Sequence, residues 1–147
     1  MHEFHIATKA ILEKEDTILM VQEGKEHVRG QWDLPGGSMK DGETFKECIL
    51  RELKEETGFE ARVEKPVGMY WEKSVRTGKS VLIVLFKCNP VRKGERKRNQ
   101  EIMNQKFFKP EEAKQADLRK PNRKEMIEDF LQKQAIPTKI VKDTRQL

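Results

Sequence analysis

The chain has little cysteine, few aromatic residues and no long apolar run. Its 147 residues include only Cys48 and Cys88, and aromatic residues make up 7% of the total. Two thiols are too few for the disulfide framework of a small secreted domain, so both are expected to be buried and free. No apolar run approaches the roughly 18 residues of a membrane-spanning helix. The start, Met1-His2-Glu3, lacks the order of a signal peptide, so a cytoplasmic protein without membrane partners is expected.

Charge is what the sequence has in abundance. Charged residues make up 37% of the chain, and the formal net charge is +5. A basic cluster supplies much of the excess and consists of Arg92, Lys93, Arg96, Lys97 and Arg98. Such a cluster is typical either of a solvated loop or of a patch that attracts an anionic substrate, and both interpretations stay open. Neither requires sequence-specific readout, so nucleic acid is not the favoured partner.

The apolar pattern predicts one α/β domain over residues 1–136, followed by a polar tail at residues 137–147. Strands are predicted at Phe4–Leu12, Thr17–Gln22, Gln31–Leu34, Phe59–Arg76 with a break at Pro66, Ser80–Cys88 and Glu101–Lys109. Helices are predicted at Phe45–Thr57, Glu111–Ala116 and Asn122–Gln134, with a loop at Glu23–Gly30 and a turn at Pro35–Gly37. Residues 81–86 are apolar on both faces, which indicates a central strand. The element order implies an α/β/α sandwich with a mixed sheet between helices.

The first helix has clear signals at both ends. Thr44 is the expected N-cap, and Glu47 three residues later completes a capping box. Gly58 suits the left-handed residue that ends a helix.

Three glutamates of this helix are candidate metal ligands. Glu52, Glu55 and Glu56 have i, i+3, i+4 spacing, so their carboxylates project from one side. At about 100° per residue they lie only about 65° from the apolar stripe, at the margin of the core. Carboxylates clustered there repel one another unless a cation neutralises them, and Mg²⁺ prefers oxygen ligands. A solvated acidic helix face is the alternative.

The residues around these glutamates resemble the Nudix box of the MutT-like Nudix hydrolases. The box reads Gly-x5-Glu-x7-Arg-Glu-apolar-x-Glu-Glu-x-Gly-apolar. Its fixed positions are filled by Gly37, Glu43, Arg51, Glu52, Leu53, Glu55, Glu56, Gly58 and Phe59. The segment Trp32–Gly37 resembles the lead-in of the family. The resemblance implies the Nudix fold, an α/β/α sandwich.

The resemblance also implies an activity and a metal. Family members hydrolyse the diphosphate linkage of nucleoside diphosphate derivatives by attack of water at phosphorus, with Mg²⁺ or, alternatively, Mn²⁺. The three glutamates would hold the metal, helped by the carbonyl of Gly36 or Gly37. Arg51 and Glu43 would form an ion pair that braces the loop against the helix.

The general base and the substrate contacts are less closely defined by the resemblance. Glu55 and Glu56 are candidate bases, and so is Glu101, which lies in a segment resembling a later acidic region of the family. An ordinary loop residue is the alternative for Glu101, because Asn104 stands near the place of a second acid common in that region. The candidate substrate contacts are Trp32, Tyr70 and Arg96.

The substrate subgroup has no mark in the sequence. The window Ser74–Thr77 beyond the box contains neither the proline typical of ADP-ribose or nucleotide-sugar hydrolases nor the tyrosine of dinucleoside polyphosphate hydrolases. A nucleoside triphosphate or another nucleoside diphosphate derivative is therefore expected. Two alternatives stay open, namely a homodimer and a non-catalytic nucleotide-sensing or RNA-associated module on the same fold.

Overall fold

The structure is a computed structural model, and it describes residues 3–74, 76–96 and 101–132. Its strands are β1 (Phe4–Lys14), β2 (Thr17–Glu23), β3 (Trp32–Asp33), β4 (Gly36–Ser38), β5 (Phe59–Lys73), β6 (Ser80–Lys93) and β7 (Ile102–Phe108). Its helices are α1 (Phe45–Thr57), α2 (Pro110–Gln115) and α3 (Asn122–Leu131), and a short 3-10 turn spans Glu26–Val28. The last residues predicted for the final helix and the predicted tail at 137–147 lie outside the described residues.

The strand β6 is an interior strand of the sheet, with a neighbour on each side, as its two apolar faces predict. It pairs in parallel with β1 and antiparallel with β5. A hairpin joins β1 to β2, and β2 pairs antiparallel with β3 and β7. The residues Ile83–Phe86 of β6 are buried on both faces. Parallel and antiparallel pairs occur together, so the predicted mixed sheet is confirmed.

The helices cover the two faces of this sheet. On one face α1 packs Ile49 and Leu53 against apolar residues of β1 and β6. On the other face α3 packs Met126, Ile127 and Phe130 beside α2. Complete burial of such a side chain stabilises the fold by about 1.5–3 kcal/mol. The predicted α/β/α sandwich is therefore confirmed.

Both ends of α1 follow the sequence signals. The Thr44 hydroxyl accepts a hydrogen bond from the Glu47 amide at 3.0 Å, and the Glu47 carboxylate accepts one from the Thr44 amide at 3.0 Å. Gly58 has the left-handed conformation, with φ at 80°. The caps fix where α1 starts and stops, and with it the positions of the glutamates on its side.

Two backbone predictions near Gly and Pro residues are wrong. Gly36 and Gly37, predicted as part of a turn, belong to β4, which pairs antiparallel with Ala7–Lys9 of β1. Pro66, predicted to interrupt a strand, lies inside β5. β5 is at the edge of the sheet and its register shifts between Pro66 and Gly68, so the missing N–H of the proline is tolerated.

Three further details of the sequence analysis have an outcome in the structure. The start of the predicted basic loop is wrong, because Arg92 and Lys93 belong to β6 and Arg92 pairs with Glu60 at 2.7 Å. The predicted buried, free state of Cys48 and Cys88 is confirmed. Within the described residues, each helix is too short or too polar to cross a membrane.

A buried network of charges joins β1, β3, β5 and α3. The carboxylate of Asp33 is fully buried; it accepts a hydrogen bond from Arg123 Nε at 2.6 Å, and Lys9 Nζ lies 3.1 Å from it. Arg123 also donates to Glu72 at 2.8 Å. Burial alone would raise the pKa of Asp33, but the charges of Arg123 and Lys9 hold that pKa well below its ordinary value.

Asp33→Asn should destabilise the fold by roughly 3–5 kcal/mol, because it leaves Arg123 and Lys9 buried without their counter-charge. The pKa of Asp33 is lower in the folded chain than its ordinary 3.8, so the stability it contributes is present above that pH and is lost as the pH falls. Urea unfolding at about pH 7, 5 and 3 measures both effects. Asp41→Asn, at an exposed position, is the control. The explanation fails if Asp33→Asn loses stability on acidification as steeply as the unmodified chain.

Candidate active site

A cleft of about 350 Å³ is lined by residues of α1, β4 and the segment before α3. Glu52 and Glu56 line it from α1, and Gly36 and Gly37 line it from β4. Glu101, which precedes β7, also lines this cleft. The fold therefore brings together two of the box glutamates, the glycine segment and the candidate base from outside the box.

The two glycines let the backbone of β4 approach the carboxylates of α1. The Gly36 amide donates to Glu56 Oε2 at 3.1 Å. A Cβ on Gly37 would lie 2.6 Å from Cδ of Glu52, so any side chain there would displace this carboxylate. Gly36 has φ at 147°, and a Cβ there would lie 2.0 Å from the Thr8 carbonyl oxygen. Gly36 is thus required by the backbone packing, and Gly37 by the position of a carboxylate.

Arg51 is the centre of a hydrogen-bonded cluster that includes Glu52 and Ser38 of the cleft lining. Its Nε donates to Glu43, and its Nη1 donates to Glu52 at 2.9 Å and to Glu55 at 3.2 Å. Its Nη2 donates to the Ser38 carbonyl oxygen at 3.0 Å. The hydrogen bonds from Arg51 lower the pKa of Glu43 to about 2. One guanidinium therefore connects the loop before α1, the end of β4 and two glutamates of α1.

The three box glutamates differ in their surroundings. Glu52 and Glu56 are partly buried beside the core, as the angular pattern predicts. The prediction is wrong for Glu55, which is exposed. Burial raises the pKa of Glu52, and it raises the pKa of Glu56 to about 8 although the charge of Lys9 opposes this. Half-buried carboxylates that are costly to ionise are stabilised by a cation, and metal ligands must be deprotonated to bind.

The donor set fits a hard divalent cation. Three carboxylates on one side of α1 and the carbonyl of Gly37 are oxygen ligands, the type that Mg²⁺ prefers. Because Gly37 has no side chain, the Glu52 carboxylate lies directly against this backbone. Over the part of the chain that the structure describes, no group of three acidic, histidine or cysteine side chains is already gathered for a metal. A cation here would compete with Arg51 for Glu52 and Glu55.

The candidate substrate contacts lie outside the described lining of the cleft. The ring of Trp32 packs edge-on against Phe108, with ring centroids 4.9 Å apart. The hydroxyl of Tyr70 donates to Asp129 at 2.6 Å. Arg96 lies two residues after Gly94, and Gly94 packs against Gly58 at the end of α1. Substrate roles for Trp32, Tyr70 and Arg96 stay predictions, as does a catalytic role for Glu101.

The sequence analysis missed a cationic wall in the cleft. Lys9, Arg119 and Lys120 all line it. Arg119 Nη1 lies 3.1 Å from Glu23, and the side chain of Lys9 is almost completely buried. A signal was present for Lys9, because a lysine inside an otherwise uncharged strand occupies a position where charge is rare unless it is paired. For Arg119 and Lys120 the neighbouring sequence gives no such signal, because a basic pair in a polar segment is typical of an exposed surface.

The family model of the NUDIX domain matches residues 3–130, so the chain belongs to the Nudix family. It is 31% identical over 103 residues to an ADP-ribose pyrophosphatase of Methanocaldococcus jannaschii, over 70% of this chain and 60% of that protein. It is 40% identical over 57 residues to an 8-oxo-dGTP diphosphatase of Proteus vulgaris, over 38% of this chain and 51% of that protein. The chain thus covers less than two thirds of the length of these relatives.

Solved structures agree with the family. A NUDIX hydrolase from Nitrosomonas europaea superposes with a TM-score of 0.86 at 27% identity, covering 96% of this chain and 97% of that one. The NUDIX domain of NrtR from Shewanella oneidensis, solved with ADP ribose, superposes with a TM-score of 0.74 at 17% identity, covering 90% and 89%. The second likeness is one of fold alone.

Gly37→Ala should lower the affinity for Mn²⁺, whereas Gly36→Ala should lower the stability of the fold. In Gly37→Ala the new methyl group displaces only the flexible end of Glu52, so we expect near-normal stability and Mn²⁺ affinity lowered about tenfold or more. In Gly36→Ala the methyl group meets the backbone of β1, and strain alone should cost roughly 1–3 kcal/mol. Thermal unfolding and Mn²⁺ titration by electron paramagnetic resonance measure the two effects. Unchanged Mn²⁺ affinity in Gly37→Ala would contradict the assignment of Glu52 as a ligand.

Proposed function

We propose that the chain is a divalent-metal-dependent pyrophosphohydrolase acting on a nucleoside triphosphate or another nucleoside diphosphate derivative. The observation that carries the proposal is the half-buried pair Glu52 and Glu56 above Gly36 and Gly37 in a cleft with a cationic wall. The names of the relatives, an ADP-ribose pyrophosphatase and an 8-oxo-dGTP diphosphatase, support it. A cytoplasmic location and a homodimer stay predictions from the sequence.

The metal ligands in this proposal are Glu52, Glu55, Glu56 and the carbonyl of Gly37. Mg²⁺ is the expected ion, with Mn²⁺ as the alternative. When bound, the ion would lower the pKa of the attacking water and screen the charge of the diphosphate. Arg51 has a supporting role, because it holds the glutamates relative to Glu43 and to the end of β4.

The chain itself supplies a proton acceptor and positive charge. Water attacks phosphorus, the bond from phosphorus to the leaving oxygen breaks, and the proton of the water passes to a carboxylate. Glu55, Glu56 and Glu101 are the candidate acceptors. Lys9 and Arg119 line the same cleft and attract the phosphates of the substrate. Little covalent chemistry is required of the protein in transfer at phosphorus, so positioning and charge dominate.

The first experiment is a screen of nucleotide derivatives with Mg²⁺, in which a coupled phosphatase releases phosphate from the products. Turnover of at least one nucleoside triphosphate or nucleoside diphosphate derivative is the expected result. A chain that binds these compounds without turning any of them over would be a sensing module, and the proposed hydrolase would be wrong.

Glu56→Gln should lower kcat/KM at least about a hundredfold, because it removes a negative charge from the metal site while keeping the shape of the side chain. Glu112→Gln, on the exposed side of α2, should leave kcat/KM unchanged. Steady-state kinetics with Mg²⁺ and thermal unfolding of both variants are the measurements. Turnover by Glu56→Gln equal to that of the control would rule out the site.

A further inference from the structure

We infer that the cleft recognises its substrate through a phosphate group additional to the two of the diphosphate, and not through the base of the nucleoside. We infer further that Arg119 binds this additional phosphate. This inference rests on the proposed function, because it concerns the same cleft. The inference predicts a preference for nucleoside triphosphates, which carry such a phosphate whatever their base. ADP-ribose has a neutral distal ribose in its place.

The described lining of the cleft has one aromatic ring, the imidazole of His27, and little other surface on which a base could stack. It contains no phenylalanine, tyrosine or tryptophan. The two nearest candidates from the sequence have other contacts, since Trp32 packs on Phe108 and Tyr70 donates to Asp129. Stacking of a base on an aromatic side chain is worth about 1–3 kcal/mol. With a single imidazole ring in the described lining, stacking contributes little to the binding of the base.

The charges of the lining favour an anion instead. Apart from the box glutamates, which a metal would neutralise, the described lining has six cationic side chains and three carboxylates. The cations are Lys9, Lys25, Arg76, Arg119, Lys120 and Arg123, and the carboxylates are Glu23, Glu72 and Glu101. The buried Asp33 behind this wall offsets one more positive charge. A positive excess remains, and it attracts a substrate with more phosphate groups.

Arg119 has an unused donor in this wall. Its Nη1 donates to Glu23 at 3.1 Å and lies 3.8 Å from Asp33 Oδ2. Its Nε is buried and has no hydrogen-bond partner among the described residues. A buried donor without a partner costs about 1–3 kcal/mol. The Arg119 side chain is about one quarter exposed, and a phosphate that turned its guanidinium outward would satisfy this donor. A guanidinium matches the geometry of phosphate.

Arg119 lies in the same part of the cleft as Lys9. Asp33 Oδ2 lies 3.1 Å from Lys9 Nζ and 3.8 Å from Arg119 Nη1, so the two cations flank one carboxylate. Lys9, Arg119 and Glu56 all line the same cleft. A substrate that has one phosphorus at the box glutamates would therefore occupy a cleft whose wall also contains Lys9 and Arg119.

The substrate preference is tested with ATP, GTP, CTP, UTP and ADP-ribose in Mg²⁺. We expect the four triphosphates to have kcat/KM values within about threefold of one another, and ADP-ribose to be at least about tenfold poorer. A base preference above about tenfold, or ADP-ribose as good as ATP, would overturn the inference. If wild type hydrolyses none of them, dissociation constants in Mg²⁺ provide the same ratios. Absence of turnover would therefore count against the proposed hydrolase, whereas the ratios between substrates test this inference.

Variants of Arg119 test the residue. Arg119→Gln should raise KM for ATP about tenfold or more, with kcat within about twofold and ADP-ribose hydrolysis unchanged. Arg119→Lys, which keeps the charge, should recover part of the loss. Arg62→Gln, an equal loss of charge at an exposed position of β5, should change nothing. Loss of turnover for ATP and ADP-ribose alike, with a lower Tm, would show a merely structural role and overturn the assignment.

Discussion

The carboxylate of Asp33 holds together the parts of the chain that form the walls of the cleft. It lies on β3 and is contacted by Lys9 of β1, by Arg123 of α3 and by Arg119 of the segment before α3. A buried charge with partners on three elements constrains their relative positions, because moving any one of them exposes an unpaired charge to a medium of low polarity. The cationic wall therefore depends on a single acidic side chain that itself does not line the cleft.

The local features of α1 could be predicted from the sequence because their signals lie within a few residues. The capping box, the left-handed Gly58 and the position of Glu52 and Glu56 at the core margin follow from helical geometry alone. The wall opposite could not be predicted in this way. Arg123 is 90 residues from its partner Asp33, and pairs at such separation leave no periodic pattern in the sequence. The same reason explains why β4 was not expected, since its partner strand lies far away along the chain.

Arg51 and the box glutamates form a second arrangement in which charges depend on one another. The guanidinium pairs with Glu43, Glu52 and Glu55 together. A cation bound to the glutamates would take over part of this task, so its binding would be thermodynamically linked to the hydrogen bonds of Arg51. The role of Arg51 is thus wider than a brace for one loop.

The short strand β4 gives the glycine segment an order that a surface turn would lack. Its residues pair with Ala7–Lys9, and the flanking Ala10 amide donates to the Pro35 carbonyl oxygen at 2.9 Å. The conformational entropy of this backbone is therefore lost when the sheet forms. A ligand that arrives later meets a segment already in place, and its binding free energy is not reduced by ordering that segment.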